Sequence, residues 1–321
     1  MNTETDQPLF TEASEWTGRN DGPGPEHARW HSVVKPLSEG ESPAAVVLGY
    51  ASDEGVLRNG GRQGAAAGSQ ALRDALGSLA IHDEFPRRDA GTITTQGDDL
   101  EGSQEALSNK VQQLNEDGHL VIVLGGGHET AFASHRGAYR ANGNQPLGII
   151  NLDQHFDLRQ EDRPTSGTPF KQIADLVTPD HGVEGFDYTV LGISRPNNTR
   201  VLFDTASTLG VEITLDEELL ELSPAQAGEL ARRAAEGREA IHLSIDLDVL
   251  PSSTAPGVSA PASLGVNYER IRAMALAIAA TGKLKLVDVV ELNPRYDVDN
   301  RTAKAAARLI ADIVSTHAAA L

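Results

Sequence analysis

Residues 146–157 read PLGIINLDQHFD, an almost wholly apolar run that ends in acidic and imidazole side chains at every second position, Asp153, His155 and Asp157. A short run without a wet face suits a strand buried between two layers of helix. Ligands of open parallel sheets bind beyond the carboxyl ends of the strands, which is where these polar residues fall. Working outward, AAVVLGY (44–50), HLVIVLG (119–125), YTVLGIS (188–194), AIHLSIDLD (240–248) and LKLVDVVEL (284–292) read as further strands. Stretches of helical character lie between them, at 69–79, 103–118, 223–237, 267–282 and 302–320, with Ser103, Ser223 and Asn267 as expected N-caps and Gly118, Gly237 and Gly282 as C-caps. This alternation predicts βαβ units and an α/β fold with a mostly parallel central sheet. No repeat or low-complexity linker divides the chain, so a single domain over 1–321 is expected, with an irregular arm at about 1–28.

Composition narrows the function. The 321 residues carry 27 basic and 46 acidic side chains, a net charge of −19, which repels phosphate backbones and anionic lipid and excludes nucleic-acid and membrane partners from the expectation. With no cysteine, disulfides, thiolate catalysis and Cys-ligated metals are excluded, so any metal must be held by His, carboxylates and water. The polar, acidic N-terminus has no apolar core of a signal peptide, and no run approaches a membrane span; a cytoplasmic location is expected.

The chemistry collects at four strand ends. HLVIVLG runs into GGGHE, placing His128, which alone would more often be structural than a ligand. Asp153, His155 and Asp157, two apart, would share one face of an extended segment; the plain alternative is a solvated polar loop. Asp246 and Asp248 repeat the spacing inside apolar sequence, where two unneutralised carboxylates would cost several kcal/mol. Four carboxylates with two neutral imidazoles balance two divalent cations, with room for a bridging hydroxide; oxygen-rich, sulfur-free ligation with imidazole favours Mn2+ over structural zinc. A pair of such ions acidifies a shared water, which describes a hydrolase. Glu291, at the end of the fourth strand, is a carboxylate suited to a cationic substrate group, or else a surface or capping residue.

GGGHE, NLDQHFD, SIDLDVLPSSTAPG and VVELNP together, spanning 125–294, resemble the four signature segments of the arginase/agmatinase (ureohydrolase) superfamily. The resemblance implies a three-layer α/β/α fold and a binuclear manganese centre held by His128, Asp153, His155, Asp157, Asp246 and Asp248, with Glu291 on the amidine or guanidine end of the substrate and Asp157 moving a proton. Members commonly assemble as a homo-oligomer, as trimers, hexamers or related multimers, whereas the sequence alone gives no oligomeric state. Ser166 stands where arginases and agmatinases typically carry His, and Gly192-Ile193-Ser194-Arg195 is followed by Pro196-Asn197-Asn198-Thr199 where arginases carry acidic residues. The segments 58–73, 163–170 and 191–206 resemble instead the formimidoylglutamase branch, which implies hydrolysis of N-formimidoyl-L-glutamate to formamide and L-glutamate. A substrate ending in two carboxylates calls for arginine, and Arg62, Arg163 and Arg195, with Asn59, Asn197, Asn198 and Ser166 beside them, are the expected contacts. Each arginine alone could equally be a surface ion pair. Another ureohydrolase activity, such as agmatinase or guanidino-acid hydrolase, and a metal-binding protein without turnover remain as alternatives.

Overall fold

Every strand of the computed structural model, which describes residues 9–321, belongs to one sheet. In chain order the strands are β1 (Phe10–Thr11), β2 (Lys35–Pro36), β3 (Ala45–Ala51), β4 (Arg87–Thr94), β5 (Leu120–Leu124), β6 (Gly148–Leu152), β7 (Tyr188–Ile193), β8 (Glu212–Leu215), β9 (Ile241–Asp246) and β10 (Leu284–Val290). Their spatial order is β1-β4-β3-β5-β10-β9-β6-β7-β8, with β2 also on β4. All pairings are parallel except β1 with β4.

Alternate residues of the strands face two cores. Leu120, Ile122, Leu124, Leu243, Ile245, Val287 and Val289 meet the helices Gly68–Gly77, Pro224–Ala234, Tyr268–Ala279 and Arg301–Ala318. Val121, Val123, Ile149, Val190 and Leu286 meet Leu100–Glu116, Thr130–Ala141, Pro169–His181 and Arg200–Thr208. Two helical layers therefore cover one sheet, the three-layer α/β/α arrangement. Among the described residues no helix is long and apolar enough to cross a membrane.

All six expected strands are present. β4 was not legible because its charged residues hide it: Asp89 and Arg87 are buried, and Arg73 Nε donates to Asp89 at 2.8 Å while Arg87 pairs with Asp83 at 2.8 Å. Ser223 caps its helix by accepting from Gln226 N, but Ser103 does not cap: the helix begins earlier, with Asp99 accepting from Gly102 N, and Ser103 is buried within it, donating to Leu100 O. Gly118, Gly237 and Gly282 take left-handed φ as helix-terminating residues should. Of the expected irregular arm, residues 1–8 lie outside the described residues. The rest is tied down, with β1 on the sheet edge, Trp16 stacked on Trp30 and Trp16 Nε1 donating to Asp89.

Candidate active site

Four strands adjacent in the sheet, β5, β10, β9 and β6, end at the same rim, and the residues just past them form the floor of a cavity of about 370 Å³. β6 and β9 deliver their acids by one local device. Asp153 Oδ1 accepts from His155 N at 2.7 Å, and Asp246 Oδ1 accepts from Asp248 N at 2.8 Å. A short carboxylate that takes the second backbone N–H beyond itself turns the chain and fixes its own side chain. Each aspartate is thus left with Oδ2 aimed at His128 Nδ1, at 3.1 Å from Asp153 and 3.2 Å from Asp246.

The gathering of Asp153, His155 and Asp157 differs from the expected alternation along one extended face. The chain bends after Leu152, and Asp157 takes a left-handed φ of 49°. Asp157 Oδ2 then lies 2.9 Å from His128 Nδ1, whereas His155 Nδ1 faces Asp248 Oδ2 at 3.2 Å. An extended continuation would string the three side chains along a line; the bend closes them around two points that share Asp153. One point is surrounded by His128, Asp153, Asp157 and Asp246, the other by Asp153, His155 and Asp248. Asp248 likewise leaves the expected strand, which ends at Asp246, and sits on the turn Leu247–Val249.

His128 is brought in by the glycine turn after β5. A Cβ on Gly126 would stand 1.7 Å from Ser52 O, so only glycine allows the turn to pass under the segment that follows β3. The imidazole Nε2 lies 3.0 Å from Ser244 Oγ on β9, which leaves Nδ1 for the acids. Glu291, also left-handed at φ 69°, follows β10 directly; its Oε1 accepts from His128 N at 2.8 Å and its Oε2 is buried without a partner. Two left-handed non-glycine residues in one site cost on the order of 1–2 kcal/mol each, strain of the kind that concentrates at functional positions.

The electrostatics of this floor call for positive charge. Burial, then repulsion from Asp248 and Asp153, pushes Asp246 well above the usual carboxylate range. Burial and Asp153 push Asp157 up. Glu291 is pushed up to about 8 by burial and by Glu129 and Asp248. Burial opposes a proton on His128, yet Asp153, Asp157 and Asp246 outweigh it and hold the imidazole well above its ordinary value. His155 behaves in the same way against Asp248. The acids thus recruit any available cation. Buried His128 Nδ1 and Asp248 Oδ1 lack hydrogen-bond partners, and the donors are four carboxylates and two imidazoles without sulfur, a set that fits two divalent ions of the manganese type.

Above the floor the cavity is lined by Asn59, Arg62, Arg159, Ser166, Asn197, Asn198, Leu202 and Ser259. Two of the three expected arginines are elsewhere. Arg163, about half exposed, faces Glu101 at 3.6 Å, and the exposed Arg195 has its guanidinium 5.7 Å from the centre of the Phe203 ring. In this acidic chain both find partners outside the cavity. Arg62 does line it, but its Nε and Nη2 donate to Ser259 O and Val258 O and its guanidinium stacks 3.9 Å over Tyr296. Asn198 braces the bend by donating to Gln154 O and accepting from Phe156 N, and Asn197 Nδ2 donates to Gln154 Oε1. Asn59 Nδ2 donates to Ser166 Oγ at 3.1 Å.

Sequence reading missed Arg159, Glu129 and Ser244. Arg159 continues the two-residue spacing from Asp153 through Asp157, a signal that was present. Glu129, wholly buried and pushed up to about 7 by that burial, accepts from Ser52 Oγ and Gly55 N and so pins the loop that carries Asn59.

The family model described as the arginase family matches residues 43–315. The formimidoylglutamase of Corynebacterium efficiens is 52% identical over 304 residues, 94% of this chain and 95% of that protein. The formimidoylglutamase of Nocardia farcinica is 49% identical over 311 residues, 95% of this chain and 97% of that protein. Among solved structures, Trypanosoma cruzi formiminoglutamase with Mn2+ superimposes with a TM-score of 0.80 at 27% identity, covering 90% of this chain and 98% of that one.

Proposed function

Because this chain belongs to the arginase family, we propose that it hydrolyses N-formimidoyl-L-glutamate to L-glutamate and formamide, with two Mn2+ per chain. The observation that carries this reading is the polarity of the cavity. Its acids, Asp157, Asp246, Asp248 and Glu291, all lie on the floor, while the residues above them are cationic, neutral or apolar. A substrate with a cationic amidine at one end and carboxylates at the other matches that polarity. An ammonium tail would meet no acid there.

His128, Asp153, Asp157 and Asp246 would hold one ion, and Asp153, His155 and Asp248 the other. When bound, the two ions neutralise these carboxylates and lower the pKa of a water, so that a nucleophile is present near neutral pH. Glu291 Oε2 would accept from the amidine N–H groups, with Oε1 held in place by His128 N. Asp157 would take the proton released as water adds to the formimidoyl carbon, and return it to the glutamate nitrogen as that C–N bond breaks. Ser166 Oγ already accepts from Asn59, so its own O–H is left to donate into the cavity, where arginases carry an imidazole.

The one-domain organisation is part of the proposal and is supported by the single sheet that carries every described strand. So are a cytoplasmic location, a homo-oligomer of the kind members of the family commonly form, and the lack of nucleic-acid and membrane partners, the last supported by the net charge of −19; light scattering of the purified protein tests the assembly. The activity is tested by incubating the manganese-loaded protein with N-formimidoyl-L-glutamate and, separately, with agmatine and L-arginine. Formamide and glutamate from the first without urea from the others is expected; urea at comparable rates would make it a guanidine hydrolase.

A further inference from the structure

We infer that Arg159 is the residue that selects a carboxylate-bearing substrate, an assignment that rests on the formimidoylglutamate reading and names the group that discriminates within it. Arg159 differs in its pairing from the arginines around it. In a chain with 46 acidic and 27 basic side chains, the arginines near the cavity are engaged: Arg58 with Glu54 and Glu101, Arg163 with Glu101, Arg62 with two backbone carbonyls, and Arg195 with the Phe203 ring. Arg159 lines the cavity, and its guanidinium has no hydrogen bond or ion pair to another described residue.

The stem of Arg159 is nevertheless placed. Its backbone N donates to Gly167 O at 3.0 Å, and a Cβ on Gly167 would lie 2.8 Å from Arg159 Cδ and 3.2 Å from Asn59 Nδ2. The side chain therefore passes over the bare face of Gly167, beside the Asn59–Ser166 pair. It stands two positions beyond Asp157, so the same bend that sends one side chain to the floor sends the other to the wall above. A planar guanidinium with its donors unspent binds a carboxylate through two parallel hydrogen bonds, and it does so most strongly where no protein acid competes. The acids nearest in sequence are Asp157, already directed at His128, and Glu161, which with Asp162 lines a surface pocket beside Arg159 without an ion pair to it. The anion that completes Arg159 is thus supplied by the substrate, and the formimidoyl group is held over the floor by the opposite end of the same molecule.

Such a clamp holds ground state and transition state alike, so its removal should appear chiefly in KM. The test compares kcat/KM for N-formimidoyl-L-glutamate and for N-methylformamidine, an amidine with no carboxylate, in the manganese-loaded wild type, Arg159→Leu and Arg159→Lys. The ratio of the two should fall about 30-fold or more in Arg159→Leu, with Arg159→Lys recovering part of it. Calorimetry supplies a readout independent of turnover: the Kd of the product L-glutamate should rise about tenfold or more in Arg159→Leu. Equal losses on both substrates would make Arg159 a support of the loop, and an unchanged ratio with unchanged glutamate binding would make it a solvated surface arginine; either overturns the assignment. A wild type that releases no glutamate from N-formimidoyl-L-glutamate overturns the functional reading as well, which separates the two failures.

Discussion

The floor and the mouth of the cavity are built by different means. The floor comes from the ends of four neighbouring strands, and its key side chains are fixed by backbone amides: Asp153 by His155 N, Asp246 by Asp248 N and Glu291 by His128 N. The mouth comes from loops distant in sequence, around Asn59, Arg159, Ser166, Asn197 and Ser259, whose side chains bond to one another or remain open. A strand end imposes position before any ligand arrives, whereas a loop can exchange Ser for His or Arg for Asp without disturbing the sheet. Chemistry should therefore be carried by the floor and substrate choice by the mouth.

Substitutions on the two sides should separate accordingly. Asp246→Ala removes the oxygen that faces His128 Nδ1 and completes the group with Asp153 and Asp157, and is expected to lose bound manganese on elemental analysis. Its kcat/KM should fall more than 100-fold, beyond the roughly 10- to 100-fold typical of a metal's outer partners. Glu291→Gln should keep both ions yet lose about 30- to 1,000-fold in kcat/KM, the equivalent of about 2–4 kcal/mol for an unpaired desolvated charge; near-wild-type turnover would move Glu291 off the floor. Ser166→Ala, on the mouth, deletes one neutral donor, and steady-state kinetics should show a loss of about 3- to 10-fold.

The floor should also govern stability in protein stripped of metal. Folded-state pKa values of Asp157, Asp246 and Glu291 are raised, so the unfolded chain gives up these protons first, and stability present at low pH is lost as pH rises above about 4 through the folded values. His128 and His155, raised as well, act in the same direction. Thermal denaturation of chelated protein should show Tm falling by several degrees between pH 5 and 8, and manganese should abolish the fall; a flat profile would mean that the acids are not crowded. The smallest effect is expected for Arg195→Leu, whose guanidinium faces Phe203 outside the cavity: kcat/KM should stay within about twofold, on the scale of an exposed contact.

The same division explains what could be read in advance. Strand ends obey a period of two and stand out against apolar sequence, so the gathering of His128, Asp153, His155, Asp157, Asp246 and Asp248 with Glu291 beside them was legible, as was the parallel sheet. What the alternation could not tell was that the chain bends after Leu152 and parts His155 from Asp157. β4 was masked because buried Asp89 is neutralised by Arg73 from a distant helix, a pairing without a local signature. The mouth was the least legible part. Arg62, Arg163 and Arg195 lie in the right segments, but whether a long side chain turns inward depends on which acid, carbonyl or ring it meets first, and that is decided by loops brought together only by the order of the strands.

The claim on which the rest stands is that two neighbouring points on the floor each hold a divalent ion. Anomalous diffraction at the manganese edge, from crystals grown with Mn2+, tests it most directly. Two peaks per chain are predicted, one bonded to His128, Asp153, Asp157 and Asp246 and the other to Asp153, His155 and Asp248. A single peak, or peaks away from these residues, would contradict the account.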